Sequence, residues 1–344
     1  MDNGNRHSHR RRVSGLNNPN KNMAYVKAIA EYLPDNIKEN PADSKLTKKT
    51  GIYKRHVVRP DECASDLAYG AAEYLFSKFS IDRKAIDFII LCTQSPDYFL
   101  PTTACILQHR LSLGKNCGAF DFNLGCSGYV YGLSMAKGLI ETGQAENVLL
   151  LTAETYTKYI REDDSATEPL FGDGACATIV SGADKSEEGI YGFDFGTNGE
   201  GAESLIVKTG ASRFPRDPDS AFNSLYMHGG EIAQFALDVA PATMTNILRK
   251  CEFSKEDIDY FVFHQANKFM LNFLREKCEL MNDPFWNDVE NYGNTVSTTI
   301  PLALVDLISS HDTKNLKKVM LIGFGAGLSW GGCVVDLSEF TTNV

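Results

Sequence analysis

No stretch of the chain approaches the roughly 18 consecutive apolar residues of a membrane-spanning helix, and the first 22 residues lack the apolar segment of a secretory signal. Both absences point to a cytoplasmic protein. No C-x-x-C pair occurs among the nine cysteines, whose odd number and scatter fit neither a disulfide framework nor a zinc site. Free thiols and no structural metal are expected. The G-x-x-x-x-G-K-[ST] pattern of a phosphate-binding loop is missing, and no acidic residue follows the glycine-rich loop Gly323–Gly332 at the dinucleotide-binding spacing. Basic charge is scarce outside the amino terminus. Residues 1–22 hold five of the 34 Lys and Arg and one of the 44 Asp and Glu, so the rest carries 29 basic against 43 acidic residues. A body that acidic is a poor fit to nucleic acid.

What is present suits a turn-rich α/β enzyme: 344 residues, 43% hydrophobic, with 28 glycines. That length exceeds what one core usually supports and predicts two packed units. Residues 1–22, rich in Asn, His, Arg and Ser, read as a disordered tail or an expression remnant. A strand is predicted over Ala24–Ala30 and a helix over Asp66–Phe79, with Leu67, Ala71, Tyr74 and Leu75 on its core face.

An internal duplication follows. Phe79-Ser80 leads to the apolar run Ile86–Cys92, as Phe253-Ser254 leads to Ile258–His264, an offset of 172 residues. Asn147–Leu151 matches Lys318–Ile322 at an offset of 171. Two matches at nearly one offset predict two copies of a half-length α/β unit, 23–184 and 185–344, built on mostly parallel buried strands.

The duplication also places chemistry. Cys126 lies in Phe122-Asn123-Leu124-Gly125-Cys126-Ser127-Gly128-Tyr129, between an apolar run and the helical spacing of Val130–Ile140. A helix amino terminus favours the thiolate, and Gly125 and Gly128 permit a tight turn. Adding 171 to Cys126 reaches Ser297, within Gly293-Asn294-Thr295-Val296-Ser297-Thr298, so halves packed about a pseudo-twofold axis bring the Cys126 and Asn294 turns face to face. His264 ends a strand, where α/β folds keep their ligands. Taken singly, His264 also reads as a core histidine and Asn294 as a turn residue.

Together these pieces resemble the β-ketoacyl-acyl-carrier-protein synthase III family of the thiolase superfamily. The matching residues are Lys49-Thr50-Gly51-Ile52, Gly125-Cys126-Ser127-Gly128, Phe171-Gly172-Asp173-Gly174-Ala175, His264-Gln265-Ala266-Asn267, Gly293-Asn294-Thr295 and Gly323–Gly331, in family order over more than nine-tenths of the chain. The resemblance implies a thiolase-like fold of two α/β halves in αβαβα layers, and a homodimer. It implies a decarboxylative Claisen condensation of an acyl thioester primer with malonyl-acyl carrier protein, giving a 3-oxoacyl product and CO2. Cys126, His264 and Asn294 are the implied catalytic set, with backbone N–H groups of Cys126 and Ala326 as the oxyanion hole. Acyl-coenzyme A or acyl-carrier thioesters are the implied substrates, with no cofactor. Leu100 stands where relatives place a residue that reaches the partner's acyl pocket, and Phe324 stands above the cysteine.

Three features go beyond that pattern. No tryptophan lies between Pro34 and Gly51, and no arginine occurs in Ser165–Leu170, so both faces of the family's adenine clamp are absent. The primer is therefore expected on a carrier protein, or else on coenzyme A bound in another way. Lys268, Arg275 and Lys277 follow the His264 turn at helical spacing and are expected to receive an acidic carrier protein, or else to be a solvated face. Two alternative functions stay open: acyl transfer to an amine or hydroxyl without decarboxylation, and a non-catalytic carrier-binding subunit.

Overall fold

The computed structural model describes residues 22–184, 189–215 and 224–341. The basic amino-terminal segment lies outside the described residues up to Asn22, which opens the first strand.

In chain order, β1 (Asn22–Tyr32) leads to a small hairpin, β2 (Ile37–Glu39) and β3 (Lys54–His56), which flanks α1 (Lys45–Thr50). Then come α2 (Ala64–Lys78), β4 (Phe88–Cys92), α3 (Thr103–Arg110), β5 (Gly118–Phe122), α4 (Gly128–Glu141), β6 (Asn147–Glu154) and β7 (Gly174–Asp184). The remainder comprises β8 (Ile190–Thr197), β9 (Leu205–Val207), β10 (Leu225–Met227), α5 (Gly229–Cys251), β11 (Tyr260–Phe263), α6 (Lys268–Lys277), α7 (Val289–Tyr292), α8 (Thr299–Ser310), β12 (Val319–Gly325) and β13 (Ser329–Val335).

One sheet has the order β1-β7-β6-β4-β5 and the other β11-β12-β13-β8. Their pairings repeat. β4 and β6 are parallel, as are β11 and β12, while β6–β7–β1 and β12–β13–β8 both continue antiparallel. The sheets are thus mixed, parallel from β6 to the β5 edge and between β11 and β12 and antiparallel on the other side, which corrects the expectation of mostly parallel strands: four of the seven pairings are antiparallel. β5 forms an edge of the first sheet, and beside β11 its place is taken only by a single parallel bridge between Phe261 and Phe285.

Strand β6 is buried from Val148 to Glu154, the signature of a strand covered on both faces. α4 and α8 lie in the middle layer, where Val130, Leu133, Ile300 and Leu304 share a core with residues of both sheets. α2 and α3 cover the outer face of the first sheet through Leu67, Leu75 and Leu107. α5 and α6 cover the second through Ile247, Leu271 and Leu274. The layering is α, β, α, β, α, as the resemblance implied. Tyr74 departs from its expected place in the core. It is 46% exposed, with the Lys78 ammonium 5.2 Å from its ring centroid, because the adjacent Leu75 takes the inward position.

All nine cysteines are free thiols, and five of them are buried. Among the described residues no helix is long and apolar enough to cross a membrane.

Candidate active site

Cys126 sits between β5 and α4, where the Gly128 N–H donates to the Gly125 carbonyl to close the turn. Neither glycine has positive φ; Gly128 serves the turn by lacking a Cβ, which would overlap the buried Cys92 sulfur. The nucleophile turn is met from the other half by the end of β12. A Cβ at Gly325 would stand 2.9 Å from Cys126 Sγ, so the backbone of this loop approaches the thiol as closely as any residue permits. Phe324 and Ala326 flank that contact and line the same cavity.

His264 follows β11 and its N–H donates to the Ile322 carbonyl across the parallel pair. Its ring packs edge-on against Phe324 with centroids 5.5 Å apart. Nδ1 lies 2.7 Å from Thr299 Oγ1, which leaves Nε2 for the cavity. Asn294 is held on both sides: its N–H donates to the Leu170 carbonyl and its own carbonyl accepts from Gly172 N–H. Its side-chain Oδ1 accepts from Val296 N at 2.9 Å, so the Nδ2 amide group remains as a donor. Val296 adopts φ 56°, an expensive conformation for a β-branched residue, and its side chain forms part of the cavity wall.

Cys126, His264 and Asn294 open on one cavity of about 150 Å³. Gln94, Tyr156, Phe171 and Val296 line it near the thiol, while Leu205, Met227, Ile232, Ala236 and Met270 provide a largely apolar wall. Burial governs the protonation of the site. It pushes the Cys126 thiol well above its ordinary range, with the nearby Glu154 adding to the effect and the Cys126 N–H opposing it. The resting nucleophile is therefore a thiol, against the expectation of a thiolate: burial outweighs the one opposing contact, from the Cys126 N–H. Burial drives His264 down to about 3, so its imidazole is neutral.

Behind the cavity a buried carboxyl braces the loops around the thiol. Glu154, fully buried at the end of β6, accepts from Gln94 N–H, Ser95 Oγ and Ser297 Oγ. Burial raises its carboxyl to about 8, against the pull of the Ser297, Gln94 and Ser95 hydrogen bonds. Its available signal was a carboxylate closing an apolar strand, and that of Ser297 was the 171-residue offset from Cys126.

Family models for 3-oxoacyl-[acyl-carrier-protein] synthase III match residues 120–199, and for its C-terminal part residues 248–337. A β-ketoacyl-[acyl-carrier-protein] synthase III from Caldanaerobacter subterraneus is 34% identical over 93% of this chain and 99% of its own length. The chain belongs to the 3-oxoacyl-[acyl-carrier-protein] synthase III family. A crystal structure of a 3-oxoacyl-(acyl-carrier-protein) synthase III superposes with a TM-score of 0.88 at 46% identity, covering 91% of this chain and 99% of that one. The priming β-ketosynthase of the R1128 polyketide pathway gives 0.83 at 26% identity, covering 93% and 98%.

Not every expected site residue of this synthase falls in the cavity. Leu100 is 83% exposed and lies outside the cavity of its own chain. Lys268 and Lys277 are exposed on α6, but Arg275 is withdrawn from the expected docking set. Its guanidinium donates to the carbonyls of Leu280, Met281 and Asp283 and stacks 6.0 Å from the Phe285 centroid. A guanidinium so engaged holds the turn after α6. The face beside it gains Phe269 and Phe273, both part-exposed, with Lys49 of α1 lying 4.3 Å from the Phe269 centroid.

Proposed function

We infer that this 3-oxoacyl-[acyl-carrier-protein] synthase III condenses an acyl primer with malonyl-acyl carrier protein through an acyl-Cys126 thioester. The observation that carries the reading is the convergence of a thiol, a neutral imidazole and an amide on one cavity.

Cys126 attacks the primer thioester, the acyl group moves to its sulfur, and the thiol proton leaves with the carrier thiol. The malonyl thioester then loses CO2 and its electron pair enters the thioester carbonyl. Asn294 Nδ2 and a protonated His264 Nε2 donate to that enolate oxygen. The carbanion attacks the acyl-Cys126 carbonyl, whose oxygen is taken up by N–H groups of Cys126 and Ala326 before the Cys126 thiolate departs. One such preorganised donor is worth about 3–4 kcal/mol. The chemistry requires no cofactor beyond the thioester substrates.

A carrier-bound primer is favoured over coenzyme A. Where an adenine would need a flat stacking surface, α1 offers Lys45, Lys48 and Lys49 and the exposed Ser165 offers no guanidinium. A second copy of the chain is the natural cover for the β5 edge and for Tyr98, Phe99 and Leu100, exposed by 62, 81 and 83%. Such a dimer would let Leu100 serve the partner's acyl pocket. A cytoplasmic setting suits a carrier-dependent enzyme with nine free thiols.

Intact-protein mass spectrometry of wild type and Cys126→Ala, with panels of acyl-coenzyme A and acyl-carrier thioesters, tests the reading. Acyl mass increments on wild type alone, fastest from the carrier, are expected; no increment from any thioester would refute it.

A further inference from the structure

The imidazole of His264 carries one proton, and the condensation reading needs that proton on Nε2. A neutral imidazole with Nε2–H must have an accepting Nδ1. The group facing Nδ1 is the hydroxyl of Thr299, 2.7 Å away, on the first residue of α8 and 2% exposed.

This hydroxyl has one proton and two candidate acceptors. The Val296 carbonyl lies 3.0 Å away and His264 Nδ1 lies closer. The carbonyl already receives the backbone N–H of Thr299, which closes the short turn over Val296–Thr298. It is therefore satisfied without the hydroxyl, which leaves the hydroxyl proton free for Nδ1. Were the hydroxyl to turn to Val296, it would accept from Nδ1–H instead, and Nε2 would face the cavity as a bare lone pair, unable to donate to an enolate.

We propose that Thr299 is a positioning residue that sets the His264 tautomer, donating its hydroxyl proton to Nδ1 so that Nε2–H points at the malonyl carbonyl oxygen. The inference rests on the condensation reading and adds a residue that touches no substrate. The same turn carries Asn294, whose Oδ1 accepts from Val296 N–H. One strained turn thus orients both enolate donors: Asn294 through its own amide, His264 through Thr299.

The test compares Thr299→Val, which keeps the β-branched shape and deletes the hydroxyl, with Thr299→Ser, which retains it. Acylation of Cys126 is followed by intact mass, CO2 release by labelled malonyl-carrier thioester, and the His264 tautomer by 15N NMR. In Thr299→Val, CO2 release is expected to fall about 100-fold, the scale of one lost oxyanion donor. Acylation should stay within threefold of wild type, and Nε2–H should no longer dominate. Thr299→Ser should restore both the rate and the tautomer. Wild-type CO2 release in Thr299→Val, an equal loss of acylation and decarboxylation, or a proton on Nδ1 in wild type would overturn the proposal. The NMR result stands apart from activity, so a wild type with Nε2–H that releases no CO2 would refute the condensation reading and, with it, the catalytic use of Thr299.

Discussion

Ser297 Oγ donates to Glu154 Oε1 across 2.6 Å, joining the Asn294 turn of one half to the end of β6 in the other. The remaining carboxylate contacts, Gln94 N–H and Ser95 Oγ, belong to the segment after β4 that reaches the cavity through Gln94. A single buried carboxyl therefore ties together loops on both sides of the nucleophile.

That carboxyl should make stability fall as pH rises. Its folded value, about 8, lies above its ordinary 4.5, so the folded chain keeps a proton that the unfolded chain releases between those limits. The contribution is complete below pH 4.5, declines by about 1.4 kcal/mol per pH unit and levels off above pH 8. Urea unfolding at pH 5 and pH 8 should show a smaller difference for Glu154→Gln than for wild type. Equal differences would mean that Glu154 is ionised in the folded state.

Neutral His264 predicts an activity profile without a histidine limb. With its titration driven to about 3 by burial, decarboxylation by the acyl-loaded enzyme should show no inflection from this residue between pH 5 and 7. An inflection near 6.5 that disappears in a His264 variant would contradict the prediction.

Gly325→Ala should affect chemistry before stability. The new methyl must displace Cys126 Sγ or its Cβ, 2.9 and 3.0 Å away, and overpacking of this kind costs roughly 1–3 kcal/mol. Acylation of Cys126 should slow by about 100-fold if the amide beside it moves out of line. Acylation at the wild-type rate would show that the loop yields freely.

The two kinds of cation on α6 should separate experimentally. Arg275→Ala strips donors from three carbonyls and should lower unfolding stability by roughly 1.5–3 kcal/mol while leaving the carrier-protein KM unchanged. Lys268→Glu with Lys277→Glu should instead raise that KM severalfold in low salt, with little change in stability. A carrier KM that responds to Arg275 alone would reverse this assignment.

Much of this arrangement is written along the chain. Continuous apolar runs such as Val148–Leu151 mark strands buried on both faces, and helix α4 follows from the spacing after Cys126. The repeat at 171–172 residues anticipated two sheets whose matching strands pair in the same sense, and it placed Ser297 opposite the nucleophile. Periodicity and repetition are properties of residues near one another or at a constant offset, so a single sequence exposes them.

Packing decided the rest. Arg275 and Lys277 look alike at helical spacing, yet only the turn at Leu280–Asp283 engages the guanidinium of the first. The position of Cys126 at a helix terminus favours a thiolate, but burial keeps the thiol protonated, because withdrawing solvent penalises the charged form. Thr299 and Glu154 acquire their roles from partners 35 and 143 residues away. No local pattern encodes such separations; they exist only once the two sheets have closed on the layer of α4 and α8 between them.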